Sequence, residues 1–312
     1  MQGADLADES TVSQHWSEHR ERGSAFAIGL ILWIARHLGR SAARLVLYLI
    51  TGYFLITARS QRRASRDYLR RVLADLPGLP QIARHLHCFS ATILDRVFFL
   101  LGRYQAFAVD LHNPELVLDA AASRQGAILL GSHLGSFEAL RAMGTSQVRI
   151  PLKVLMYPDH NQVIARVFHR LNPEVARTLI PLGTPGTLLA VQEALQTGCL
   201  VGILGDRAAK GEKSLRCRFL GAEASFPIGP SLLALATRVP LVLFFALYRG
   251  GNRYEIFFEE LTYAPPADRG ERLAAAQALT RRYVERLEHY TRLAPYNWFN
   301  FYEFWADTEG SE

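Results

Sequence analysis

The segment Ala127-Ile128-Leu129-Leu130-Gly131-Ser132-His133-Leu134-Gly135-Ser136-Phe137-Glu138 decides the architecture. Its first half is an uninterrupted apolar run, the pattern of a strand buried on both faces. Gly131 and Gly135 then flank a turn that glycine makes easy. The residues that follow, EALRAMG at 138–144, favour a helix. Strand, turn and helix in that order form the repeating unit of an α/β fold.

The same alternation extends outward from this segment. Short β-rich runs occur at 106–110, 152–156, 199–204, 215–219, 241–247 and 254–261. Helical stretches lie between several of them, at 161–171, 187–197 and 230–238, and a long run of good helix formers occupies 271–293. The expected fold is α/β, with a mixed, mostly parallel central sheet flanked by helices.

The turn also carries the sharpest chemical signal. His133 and Glu138 are five residues apart, about 500° of rotation on a continuous helix, so there they would diverge by about 140°. They meet only if His133 lies in the turn and Glu138 in the first helical turn. A carboxylate on one imidazole nitrogen fixes the tautomer and leaves the other nitrogen free to act as a base. A histidine at a helix start, with an acid complementing the helix dipole, has an equally simple structural reading. The position of the pair after a strand favours the chemical one, because open α/β sheets bind ligands at the carboxyl ends of their strands. A nucleophile elbow is excluded, since the centre of Gly131-Ser132-His133-Leu134-Gly135 is histidine where that motif needs serine. His85, His87 and Cys88 have no second ligand cluster at metal spacing, and on one helix they would point different ways.

Two further blocks end in small residues and charges. Gly205-Asp206-Arg207 follows an apolar run, and there Arg207 could hold a phosphate or a developing oxyanion. Phe219-Leu220-Gly221 and Phe226-Pro227-Ile228-Gly229-Pro230 lead into a helix whose first amides could face an anion. Each block also reads as an ordinary ion pair or loop.

The N-terminal part has a different character. Residues 24–35 and 45–58 are apolar runs, each short of the roughly 20 residues a spanning helix needs. Arg36, Arg40 and Arg44 separate them, and Arg59, Arg62, Arg63, Arg66, Arg70 and Arg71 follow. An apolar stretch beside a basic cluster suits a helix seated at an anionic leaflet, where each cation near the surface contributes about 1 kcal/mol. Two shallow amphipathic helices fit better than one spanning helix, although a tilted span remains open, as does a buried hairpin with solvated arginines. The polar first twenty residues do not read as a signal peptide. The expected division is a membrane-associating helical region, 1–75, and a catalytic α/β domain, 76–312. The 312 residues include 49% hydrophobic and 21% charged, a globular balance. A formal charge of +6 suits an anionic membrane or carrier and does not call for nucleic acid. The three cysteines make no disulfide framework.

Taken in order, these blocks resemble the bacterial lipid A late-acyltransferase branch of the lysophospholipid acyltransferase superfamily. The resemblance starts near Trp16 and Glu21-Arg22-Gly23, and runs through the arginine-rich stretch and Asp95-Arg96. It continues over His133 to Glu138, Asp206-Arg207 and Phe226 to Pro230, and reaches Pro240-Leu241-Val242. It implies a membrane-associated acyltransferase at the cytoplasmic face of the bacterial inner membrane. The acyl group would pass from an acyl carrier protein or coenzyme A thioester to a hydroxyl of a lipid acceptor, without a cofactor, a metal or an acyl-enzyme. It gives His133 the role of general base and Glu138 that of its supporting acid. Ser132, Gly135, Asp206, Arg207, Phe226, Pro227 and Gly229 fall to substrate binding, and Arg59, Arg62, Arg63 and Arg66 to membrane or carrier contact. The branch commonly has an acidic block where this chain has Gly205-Asp206-Arg207, and a basic tryptophan-and-histidine close where it has residues 297–305. Those departures favour a lipid acceptor other than lipid A. The alternatives are a catalytically silent lipid-binding accessory protein on the same scaffold, and a thioester hydrolase.

Overall fold

The computed structural model describes Trp33, His37 and residues 39–122, 125–140, 151–157, 172–209 and 211–305. The apolar run 24–35, apart from Trp33, and the helical stretch expected at 161–171 lie outside the described residues.

Three helices come first, α1 (Gly39–Thr57), α2 (Arg59–Leu73) and α3 (Leu79–Leu100). The strands are β1 (Ala108–His112), β2 (Ala127–Gly131), β3 (Leu152–Met156), β4 (Leu179–Pro181) and β5 (Leu200–Leu204), followed by β6 (Ser214–Phe219), β7 (Ala222–Pro227), β8 (Leu241–Tyr248) and β9 (Arg253–Glu260). Helices α4 (Glu115–Ala122), α5 (Pro173–Ala176), α6 (Thr187–Gln196), α7 (Gly229–Thr237) and α8 (Arg269–Leu293), with a short 3-10 helix at Tyr104–Ala106, complete the described elements.

Seven strands form one sheet in the order β1-β9-β8-β2-β5-β3-β4. From β8 to β4 all neighbours are parallel, while β9 runs antiparallel to β8 and carries β1 parallel to itself. The α/β class and the mixed, mostly parallel sheet therefore stand as expected. β2 is the middle strand, so its carboxyl end opens at the centre of the sheet edge. Its side chains alternate between two cores. Ile128 and Leu130 pack on one face with α2, the first half of α3, α6, α7 and α8, and Ala127 and Leu129 pack on the other with α1, the second half of α3 and α4. β8 divides in the same way, Leu243 and Phe245 to one core and Val242 and Phe244 to the other. Cover on both faces explains why these strands read as continuous apolar runs.

Two strands escaped the sequence reading. β4 has three residues, too few to show a period. β7 pairs antiparallel with β6 in a separate hairpin, and the Phe219-Leu220-Gly221 block supplies its turn. Leu220 and Gly221 both take positive φ there, as a two-residue hairpin turn requires.

At the N-terminal end, α1 presents Ala43, Leu47 and Thr51 to α3 and leaves Leu45, Tyr48, Leu49, Tyr53 and Ile56 exposed. α1 and α2 meet at 96°, and Arg62 donates to the carbonyls of Leu55 and Ile56 at the end of α1 (2.6 and 2.8 Å). Among the described residues no single helix is long and apolar enough to cross a membrane. Residues Tyr68, Leu69 and Val72 of α2 are buried in the first core.

Candidate active site

β2 and β5 are parallel neighbours with Gly131 opposite Leu204. The residues just beyond both ends therefore meet, which brings together His133 and Asp206, 73 positions apart in the chain. Asp206 is fully buried and accepts three hydrogen bonds. His133 Nδ1 lies 2.8 Å from its Oδ1, the His133 backbone N–H donates to Oδ2 (3.0 Å), and the Trp298 indole N–H donates to Oδ2 (3.0 Å). A carboxylate can only accept, so Nδ1 carries the proton and Nε2 holds a free lone pair. The His133 side chain keeps 34% of its surface exposed.

Electrostatics favour the same state. Burial pulls the His133 pKa below the ordinary imidazole value, and the Arg207 and Arg96 guanidinium groups lower it further against the opposing pull of Asp206. Burial alone would raise the Asp206 pKa. The charge and hydrogen bonds of His133, with help from Arg207, overcome that and hold it at about 2. Near neutral pH the pair is thus a neutral imidazole backed by a full negative charge.

The expected bond from Glu138 to His133 is corrected by this geometry. Residues 137–140 do form a helical turn, but Asp206 occupies Nδ1, and Glu138 forms an ion pair with Arg96 of α3 (2.9 Å). The physical reason is strand adjacency: a residue delivered by the neighbouring strand reaches the imidazole from below, while the turn carries Glu138 toward α3. Asp206, expected among substrate contacts, is instead the residue that holds the imidazole.

The other candidate residues divide into three groups. Ser132 is buried beside the Tyr283 hydroxyl, which donates to the Gly131 carbonyl (2.8 Å). Gly135 has φ +77°, and a Cβ there would run into the Ala246 carbonyl, so only glycine fits the turn. Arg207 donates to the Phe299 carbonyl (2.7 Å), leaving its Nε buried without a hydrogen bond. These three border His133. Phe226 is different: it is fully buried against Phe219 and Phe304, and serves the core. Pro227 ends β7 opposite Ser214, and Gly229 opens α7 with Glu212 Oε1 close to where its Cβ would be. Arg59, Arg62, Arg63 and Arg66 share one face of α2 and line a cavity of about 170 Å³.

The C-terminal aromatic segment, which the sequence marks as a groove lining or a core seal, closes directly over the site. Leu134 and Trp298 form an antiparallel bridge, the Gly135 N–H donates to the Asn297 carbonyl (2.8 Å), and the Phe299 N–H donates to the His133 carbonyl (2.9 Å). His85 and His87 also find partners. His85 Nδ1 lies 2.9 Å from Ser65 Oγ and its Nε2 2.9 Å from the Trp298 carbonyl, while His87 Nδ1 is 3.3 Å from Thr51 Oγ1. Among the described residues no group of three His, Cys, Asp or Glu side chains could hold a metal ion.

The sequence matches the model of the family described as bacterial lipid A biosynthesis acyltransferase over residues 13–306. The chain belongs to that family. Among curated proteins none matches it. The lipid A biosynthesis acyltransferase family implies an acyl donor and a lipid acceptor, and its match takes in His133, Asp206 and the Trp298 segment alike.

Proposed function

We propose that this member of the lipid A biosynthesis acyltransferase family transfers a fatty acyl group from an acyl carrier protein or coenzyme A thioester to a hydroxyl of a lipid acceptor, with His133 as general base. The observation that carries this reading is the free Nε2 of an imidazole whose Nδ1 is held 2.8 Å from a buried carboxylate. Nε2 takes the proton of the acceptor hydroxyl as its oxygen attacks the thioester carbonyl carbon. The tetrahedral intermediate collapses with cleavage of the carbon–sulfur bond, and the departing thiolate receives the proton from the imidazolium. The products are an ester and a free thiol, with no acyl-enzyme. A thioester is already activated, so positioning plus stabilisation of the oxyanion suffices. The cation of Arg207, beside His133, supplies that stabilisation.

Region 1–75 seats the enzyme on the cytoplasmic face of the bacterial inner membrane. The exposed apolar side chains of α1 enter the interface, and Arg59, Arg62, Arg63 and Arg66 contact anionic headgroups or the carrier. The departures at Gly205-Asp206-Arg207 and 297–305 favour another glycolipid, an aminolipid or a secondary-metabolite lipid as acceptor.

Purified protein incubated with acyl carrier protein thioester, or acyl-CoA, and a membrane lipid extract is expected to release thiol in step with a new lipid ester. His133→Ala should fold normally and lose about a thousandfold or more in rate. Wild-type turnover by that variant would sink the mechanism. Thiol released without lipid ester would make the protein a hydrolase, and binding of lipid without thiol release would make it an accessory protein.

A further inference from the structure

We propose that Trp298 is a positioning residue for the base: its indole N–H fixes the rotation of the Asp206 carboxylate, and through it the direction of the His133 lone pair. This rests on the reading of His133 as general base. Three contacts set the plane of the carboxylate. Oδ2 accepts from two donors, the His133 backbone and the Trp298 indole, both at 3.0 Å, so Oδ1 is turned toward Nδ1.

Trp298 itself cannot shift. It is fully buried, with Tyr68, Phe219 and Phe304 edge-on around its ring. A carbonyl only accepts, so His85 Nε2 donates to the Trp298 carbonyl and His85 Nδ1 accepts from Ser65 of α2. Asn297 is pinned to Tyr248 at the end of β8 through both side-chain amide atoms (2.6 and 3.2 Å). The segment thus ties α2, α3 and the ends of β2, β5 and β8 to one indole. A packing role alone would need the ring and not its N–H.

Charged groups acting on His133 are Asp206 and Arg207 beyond β5 and Arg96 from α3, with Glu138 behind Arg96 and Tyr283 of α8 facing Asp206. Removing the indole N–H returns negative charge to Asp206, which then favours the imidazolium more.

The test compares the full-length wild type, Trp298→Phe, and a chain carrying 3-benzothienylalanine at position 298, which keeps the ring shape and lacks the N–H. Turnover is measured alongside titration of the His133 ring by NMR. The expected result is a kcat lower by about tenfold, KM within about twofold, and a His133 titration shifted upward by about half a unit. If Trp298→Phe fails to fold, the benzothienyl chain decides. An unchanged titration with unchanged kcat overturns the proposal, as does a loss confined to KM or melting temperature. The titration needs no turnover, so a shifted His133 in a protein that transfers no acyl group would support the positioning role while sinking the acyltransfer reading.

Discussion

Arg96 Nε stands 2.9 Å from Glu138 Oε2, and this ion pair holds Glu138 against α3. The Glu138 side chain is only 8% exposed and Arg96 28% exposed. Removing the cation leaves a nearly buried carboxylate without a counter-charge, whereas neutralising the acid leaves a cation that water reaches. Arg96→Met should therefore cost about 3 kcal/mol in urea denaturation, and Glu138→Gln clearly less. Equal losses would show that the pair contributes through packing and not through charge.

Asp206 and His133 make a separate prediction. Asp206→Asn keeps the shape but can present an N–H to Nδ1, which forces the ring proton onto Nε2 and removes the base. In a histidine–carboxylate pair that change lowers kcat by about a thousandfold or more. Steady-state rates would check it, and a loss below about tenfold would show that Asp206 does not set the tautomer.

His85 predicts a pH dependence of stability. Burial lowers its pKa from the ordinary imidazole value to about 4. The unfolded chain takes up this proton near pH 6.5 and the folded chain only near 4, so the stabilisation is fully present above 6.5 and disappears as pH falls to 4. The loss over that window is about 3 kcal/mol. Urea denaturation at a series of pH values should show the slope in the wild type, and His85→Gln should flatten it.

The surface of α1 and α2 predicts a division of labour at a membrane. Leu49→Glu with Ile56→Glu should reduce binding to neutral and anionic vesicles alike. Arg63→Ala with Arg66→Ala should reduce binding to anionic vesicles only, by about fivefold for each arginine, and added salt should mimic it. Co-sedimentation measures both, and vesicle binding unchanged in every variant would remove this surface from the membrane reading.

The legible parts of the fold were those in which one local pattern has one outcome. AILLG at 127–131 is covered on both faces, so it has to be apolar throughout, and it can be read as a strand without its neighbours. The glycine at 135 marks a turn because its φ admits little else. The three-residue β4 carries no period. The end of β7 reads in sequence as an approach to α7, because the alternating polar residues of this strand are interpretable only beside β6. At the site, a spacing of five suggested that Glu138 serves His133, while the acid that serves it lies beyond the neighbouring strand.

What the sequence by itself determined is the order of strand, turn and helix, the placing of His133 at a strand end, and the basic, apolar front of the chain. These depend on burial periodicity and on backbone conformations that few residues tolerate, both local properties. What only the tertiary structure decided is which carboxylate holds the imidazole and which indole holds that carboxylate. Both contacts join residues more than 70 positions apart, and they exist because β2 and β5 lie side by side and the 297–300 segment crosses their ends. Hydrogen bonds of that range depend on sheet order, and no spacing along the chain encodes it.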